Sequence, residues 1–554
     1  MGDISDFFSS FMKSKGGVAA LIISVLLSFG LATTVGIVPA VLADRYARIN
    51  HEWDGKPCYT FDHDVIPHAC VQGGDDAQTG SACMSFVQNV LLFLSNPVVG
   101  SQSDVQGRRG FLLFGISLFS LAPMALVAMH HFPMLNPFYY FAANSSTGLV
   151  SYMSIIFAAM ADSSNEKFRA ASYAMIMAGF YSGFCIAPSI VLFLSHEHAA
   201  LLSLCLCVAA FVYAVLFFPE TLPQTVAEVA AIHHAARTVN NRDGQSIDHV
   251  VPTTVTTVHD DDDIMESELT GCNHLQVIDQ TTPLLSEEAR LTMFVRNEQI
   301  PVVNSRHKTN SFQSLVAVIA RPFREMSILY RTSFLQILTL ASFLSAAVYS
   351  TDVSLVLFYI EGHLNVKDAD IATMFFYMGI FGVVLQALGL QPLVSCLGEK
   401  GLLILSFLSG TLHNFLYGAA RDKSAITVAL SFSQFTKLNY PILSSLASKA
   451  VLADEQGQVQ GALMATNALA AALGPVSMNY VYQHTKDMLY GPGTMFLLAS
   501  FLYFLGTLCV AIIPMSILSE SSESLSRADS NCSSSNDGAS CNETTTDEAN
   551  TITA

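Results

Sequence analysis

Gly100-Ser101-Gln102-Ser103-Asp104-Val105-Gln106-Gly107-Arg108-Arg109 is a polar turn set between two apolar stretches, 81–100 and 110–130. Each stretch is long enough to cross a bilayer, whose hydrocarbon core takes about 20 residues of helix. The turn therefore joins two neighbouring spans at one membrane face. It fixes one acid, two arginines and two glycines at set positions: Gly100, Asp104, Gly107, Arg108 and Arg109. Such a string in a soluble protein would be an ordinary surface turn, so its meaning depends on what surrounds it.

The surroundings are apolar. Hydrophobic residues make up 51% of the chain, charged residues 13%, and the mean hydropathy is +0.45. Apolar stretches recur near 17–43, 81–100, 110–130, 136–161, 169–195 and 199–218, then near 331–360, 370–396, 401–420, 424–450, 457–483 and 490–514. A water-soluble core could not bury so many all-round apolar helices, so the chain reads as an all-α, polytopic membrane protein in the lipid bilayer. The formal charge of −18 concentrates in polar segments such as Asp260–Asp263, Glu287, Glu288 and the C-terminal tail. An acidic balance gives no reason to expect nucleic-acid binding. No Walker loop, nucleophile elbow, zinc spacing or pair of catalytic acids is present in the sequence. We therefore expect no metal, no cofactor, no enzyme and no ATP-driven pump.

The segments fall into four parts: six spans over 1–218, a polar loop over 219–325, six spans over 326–514, and a polar tail over 515–554. Pro219-Glu220-Thr221-Leu222-Pro223 ends the sixth span, and Gln224 to Arg237 reads as a short amphipathic surface helix. The remainder of the loop and the tail have a disordered composition. Asp279 to Glu288, with Leu284 and Leu285, resembles an acidic dileucine sorting signal with its acid one place too far away. The first apolar run is too long for a cleavable leader and is expected to stay as the first span. With the N-terminus inside, 18 of the 26 Lys and Arg fall on the cytoplasmic side and 7 opposite, with Lys437 left inside the membrane. The positive-inside rule thus places both termini in the cytoplasm, and the sequons at Asn531 and Asn542 would lie there too. Cys58 and Cys70 share the loop facing the oxidising side, where a disulfide and two free thiols are both open readings.

An internal repeat supports six plus six. Gly183 to Pro188 in the fifth span and Ala470 to Pro475 in the eleventh both place small residues four apart with a proline following. Small residues one turn apart allow helix backbones to approach, and the proline bends the helix. Gly183, Pro188, Gly474 and Pro475 are therefore read as packing and kink positions. Leu397-Gly398-Glu399-Lys400-Gly401, between the eighth and ninth spans, looks like a degraded partner of the opening turn.

With these strings assembled, about 400 of the 554 residues resemble the major facilitator superfamily. The likeness is nearest to the tetracycline-efflux-like branch that includes the hippocampus-abundant-transcript-like proteins. It rests on Ser103-Asp104-Val105-Gln106-Gly107-Arg108-Arg109, on Phe157 to Asp162 with Arg169 seven residues on, and on Ala453 to Gly461 followed by Leu473-Gly474-Pro475. The resemblance implies 12 transmembrane helices in two pseudo-symmetric six-helix bundles around a cavity that opens alternately to either side. In that scheme Asp104 would accept hydrogen bonds from free amides near Gly457, and Arg108 or Arg109 would meet Asp162, closing the cytoplasmic side. Drug–proton antiporters of the superfamily carry an arginine four residues before a glycine in helix 4. Here that glycine matches Gly148, and Asn144 holds the arginine's place.

The resemblance implies that helices 1, 4, 7 and 10 line the cavity, which directs attention to Asn144, Tyr349, Asp352, Lys437 and Asn439. A charge at mid-helix is costly and usually faces the bundle interior. Asp352 is read as a proton or cation site and Lys437 as its counter-ion or an anion site. A structural ion pair is the competing reading for both. His413 and Asn414, on the peripheral ninth helix, are read as packing residues. The absence of charge in helices 1 and 4 points to a neutral or weakly charged solute. The functional expectation is a monomeric secondary transporter of a small organic solute, coupled to an ion gradient of protons, in the plasma membrane or an endolysosomal or vacuolar membrane. A transporter-like receptor without net flux is the alternative.

Overall fold

The computed structural model describes residues 2–61, 66–132, 134–191, 193–243, 320–364, 368–420, 423–485 and 491–513. The dileucine-like segment, most of the polar loop and the tail from 514 lie outside the described residues. The chain divides into two units, Met1–Ala235 with Ile319–Ala554, and Ala236–Val318. The first unit carries both sets of apolar helices.

The described regular structure of that unit is helical throughout. A short α1 (Gly2–Lys13) precedes the first span, its Phe7 and Phe11 buried. The first span comprises α2 (Gly17–Val35) and α3 (Val38–Asn50), parted at Gly36-Ile37. Then follow α4 (His68–Gln106), α5 (Arg108–His131), α6 (Phe138–Ser146), α7 (Tyr152–Ser163), α8 (Arg169–Val191), α9 (His196–Phe217) and α10 (Gln224–Asp243). The second set holds α11 (Ser333–Leu364), α12 (Asp368–Val384), α13 (Leu390–Ala419), α14 (Lys423–Thr436), α15 (Asn439–Lys449), α16 (Gln456–Thr485) and α17 (Thr494–Ile512).

Nine helical stretches among the described residues are long and apolar enough to cross a membrane. The expected fourth and tenth spans are not among them, because each is an interrupted helix. In the fourth, Ser146 and Thr147 hydroxyls donate back to the Ala143 and Asn144 carbonyls at 2.6 and 2.7 Å. The helix tightens into a 3₁₀ turn over Thr147–Leu149 and restarts at Ser151, whose side chain accepts from Ser154 N. Such local side-chain bonds compete with the helical ladder. In the tenth, Pro441 has no N–H to offer the Lys437 carbonyl, and the chain tightens at Lys437-Leu438 between α14 and α15. The second span begins at His68 rather than near 81, so α4 extends well past its apolar part. The eighth and ninth run together through a π turn at Leu385–Gly389, with a kink at Gly398.

Gly107 separates α4 from α5 by a single residue with φ 95° and ψ 159°, and Gly398 repeats this at φ 71° and ψ 164°. That region is open essentially to glycine alone. Gly183 packs α8 directly onto the α2 backbone at Ser28 and Phe29. In the second set, Gly474 packs α16 onto the α11 backbone at Ala347. Pro475 lies within α16 and Pro188 within α8. At the other end of α4 from the Asp104 turn, Cys58 of the α3–α4 loop and Cys70 of the first turn of α4 are joined by a disulfide.

Candidate functional site: a sealed helix junction and a charged mid-membrane cluster

At the Asp104 turn the two sets of helices touch backbone to backbone. A side chain at Gly100 would strike the Gly457 carbonyl, and one at Gly461 would strike the Asn96 carbonyl. This closeness lets the Asp104 carboxylate reach the start of α16. Its Oδ1 accepts from Gly457 N at 2.7 Å and its Oδ2 from Gln458 N at 2.8 Å. These are free N-terminal amides, where the helix dipole also favours an anion.

Arg108, with 0% of its surface exposed, holds this carboxylate at 2.6 Å through Nη2. Its Nε donates to Asp162 at the end of α7 at 3.0 Å, and its Nη1 to Ser103 Oγ at 2.7 Å. Arg109 takes no part in this pairing and instead donates to the Val215 carbonyl. Arg169 does not meet Asp162 either. It donates to Ser448 Oγ at 3.2 Å and to the Ala161 carbonyl at 3.3 Å, forming a second bridge between the sets.

Glu220 completes the junction. Its carboxylate accepts from the backbone N–H of Arg108 and Arg109 at 2.9 and 3.1 Å, capping α5. The sequence shows Glu220 only as part of a helix end, and its position just after a span was the available clue. The Gly398 turn carries the reverse charges: Glu399 meets Lys449, at the end of α15, at 2.8 Å.

The second cluster lies along the spans. Asp352 on α11 meets His413 on α13, with Oδ2 at 3.1 Å from Nε2. His413 is 1% exposed and Asp352 18%. Asn414 Nδ2 lies 3.0 Å from the same ring nitrogen, and Asp352 Oδ1 and His413 Nδ1 have no partner among the described residues. Tyr417 and Tyr503 ring the imidazole at 5.2 and 6.0 Å between centroids. His413 is thus a functional candidate that reading the ninth helix as peripheral had missed.

Lys437 and Asp352 do not pair. The Lys437 ammonium lies 4.7 Å above the Tyr181 ring of α8. Tyr349 is 43% exposed, and its hydroxyl approaches that of Tyr181. Asn439, expected on the solute path, is only 2% exposed. Its amide donates to Ser345 Oγ at 3.0 Å and accepts from Ser406. The break at Lys437-Leu438 leads α15 off with Asn439 turned into the packing of its own bundle. Asn144 lines a small cleft with Thr34, Tyr140, Thr147 and Ser203, where it donates to Gln88 at 3.4 Å. No group of His, Cys, Asp and Glu among the described residues could hold a metal ion.

Against known proteins, residues 20–475 match the family model of the Major Facilitator Superfamily. The chain belongs to this superfamily, which comprises multi-pass membrane transporters rather than enzymes. Among individual proteins, it is 21% identical over 397 residues to the Hippocampus abundant transcript 1 proteins of Mus musculus and Homo sapiens, covering 72% of this chain. It spans 64% of the length of those two relatives. Over 139 residues, 25% of this chain and 29% of the relative, it is 32% identical to Major facilitator superfamily domain-containing protein 10 of Bos taurus. The structure resembles that of the human organic anion transporter MFSD10 (TETRAN), with a TM-score of 0.59 at 17% identity, covering 90% of this chain and 99% of the other. It also resembles the proton:xylose symporter XylE, with a TM-score of 0.55 at 12% identity, covering 91% and 96%. These two likenesses concern the fold.

Proposed function

We propose that the protein is a secondary transporter that moves a small organic solute by alternating access, driven by protons exchanged at Asp352. Family membership supports transport. The observation that carries the coupling is the Asp352–His413 pair: an acid within a membrane span, partly accessible, with one oxygen that finds no partner among the described residues. Placing a charge at this depth costs about 2.5–3.5 kcal/mol on insertion scales, a cost that such chains retain where the charge has work to do. When Asp352 takes up a proton, its hold on His413 weakens. When it releases the proton, the pair re-forms. His413 is the ionisable partner facing it, and Tyr349, Tyr417 and Tyr503 are the other titratable groups around it.

The junction at Asp104 is the gate in this reading. With the N-terminus inside, it closes the cytoplasmic side, and inward opening breaks the Asp104–Gly457 and Arg169–Ser448 contacts. The protein acts as a monomer in the plasma membrane or an endolysosomal or vacuolar membrane.

The test is solute uptake by purified protein in liposomes, with and without an imposed pH gradient, beside Asp352→Asn and His413→Gln. The reading expects gradient-driven uptake in wild type, lost in Asp352→Asn while the variant still folds. Equal uptake in both proteins would leave Asp352 a structural partner of His413. No flux for any compound would favour a transporter-like receptor.

A further inference from the structure

We infer that Lys437 forms an anion-binding subsite, so that the solute carries an oxyanion group such as a carboxylate or sulfonate. This rests on the transport reading and adds the chemical class of the solute. It also narrows the expectation of a neutral or weakly charged solute drawn from the uncharged helices 1 and 4.

Lys437 sits at the break of the tenth span, where Pro441 leaves its carbonyl without a helical donor. Its ammonium lies on the face of Tyr181, which belongs to the other set of helices. The position is therefore at the boundary where alternating access requires a solute to bind. Among the described residues no carboxylate pairs with it, and Asp352, the acid expected there, is taken by His413. An aromatic face attracts the cation but accepts none of its three N–H donors in the way an oxyanion does.

The tenth span packs closely against α12 at this point. A Cβ at Gly382 on α12 would lie 3.3 Å from Lys437 Nζ and 3.2 Å from Gln434 Oε1. Glycine there lets the Lys437 ammonium and the Gln434 amide pack close against α12, where a larger side chain would push them away. Gln434, 1% exposed, gives its NH2 to the Leu430 carbonyl and Ser433 Oγ, and its oxygen has no partner among the described residues. One turn beyond Gly382 the helix widens into the π turn at Leu385–Gly389. There Gln386, 2% exposed, has no partner for either end of its amide among the described residues. Buried amides are normally satisfied, and π turns gather at functional sites. A partly buried cation that no described carboxylate neutralises, at the boundary between the two sets, and in the π turn after α12 a buried amide with N–H donors to offer, are the groups that an oxyanion and its neighbouring polar atoms would take. A cationic solute would be repelled.

The test uses the full chain in liposomes and a panel in three arms: hexanoate, phenylacetate and benzenesulfonate; their amides; and the corresponding amines. Thermal stabilisation and uptake are read for wild type, Lys437→Gln, Lys437→Arg and Gly382→Leu. The subsite predicts that anions alone bind, about tenfold or more weakly in Lys437→Gln. Lys437→Arg should restore most of that binding. Gly382→Leu should weaken it with the charge intact, which keeps the test valid if Lys437→Gln fails to fold. Anion binding unchanged in both Lys437→Gln and Gly382→Leu would overturn the subsite. Binding confined to amides or amines would overturn it while leaving the transporter standing. Silence in all three arms from folded protein would overturn both.

Discussion

Arg108 shows how much a single residue can hold. It is fully buried and joins Asp104, Asp162 and Ser103, which come from two different elements. Replacing it by alanine leaves two buried carboxylates without their cation. Breaking such a cluster from one side costs about 3–5 kcal/mol, which a thermal melt in detergent would register as a clear loss. Asp104→Asn keeps the shape but loses the charge that two amides and Arg108 share, so about 1–3 kcal/mol is expected. The reversed pair Glu399–Lys449 is more exposed, at 12% and 23%. Glu399→Gln should therefore cost below about 1 kcal/mol, and a larger loss would show that the two turns are closer equivalents than their burial implies. The residues of the opening turn were legible because their spacing is local and the turn between spans is short. The Asp352–His413 pair was not, because it joins positions 61 apart in sequence on helices whose facing sides a linear pattern does not give.

At the scale of elements, one glycine makes each sharp turn. Gly107→Ala forces a Cβ into a backbone region that costs about 1–3 kcal/mol, and it would also strike the Glu220 carboxylate. Gly398→Ala meets no neighbour and should show the backbone cost alone. The difference in melting temperature between the two variants measures the Glu220 cap. The α4–α16 junction depends on Gly100, Gly457 and Gly461 in the same way. Gly457→Leu should part the helices and expose a buried cysteine placed at Ser101 to a membrane-impermeant maleimide, with at least a severalfold faster reaction than in the Ser101→Cys parent. The spans themselves could be read from apolar length, but the interruptions in the fourth and tenth could not. Length averages over Asn144 to Gly148, whereas the break depends on which carbonyl each hydroxyl finds. Pro441 did announce a kink. What it did not announce was that Asn439 would turn into the bundle while Lys437 stayed at the boundary facing Tyr181.

At the scale of the whole molecule, two groups of charged contacts stand in different places. Those at the Asp104 turn bind one set of helices to the other, through Asp104 to Gly457 and Arg169 to Ser448. The Asp352–His413 pair lies inside one set. A proton-driven transporter needs both: a junction that can part, and a titratable group whose state biases which end parts. The central claim is therefore that the Asp104 end opens and closes. It is tested most directly by spin labels on the exposed positions Gln106 and Leu452, placed on either side of the junction, with their separation measured by pulsed electron resonance in lipid. The account predicts a dominant short distance in wild type and a second, longer population that grows when Asp104→Asn or Arg108→Ala weakens the seal. One unchanging short distance in all three folded proteins would contradict it.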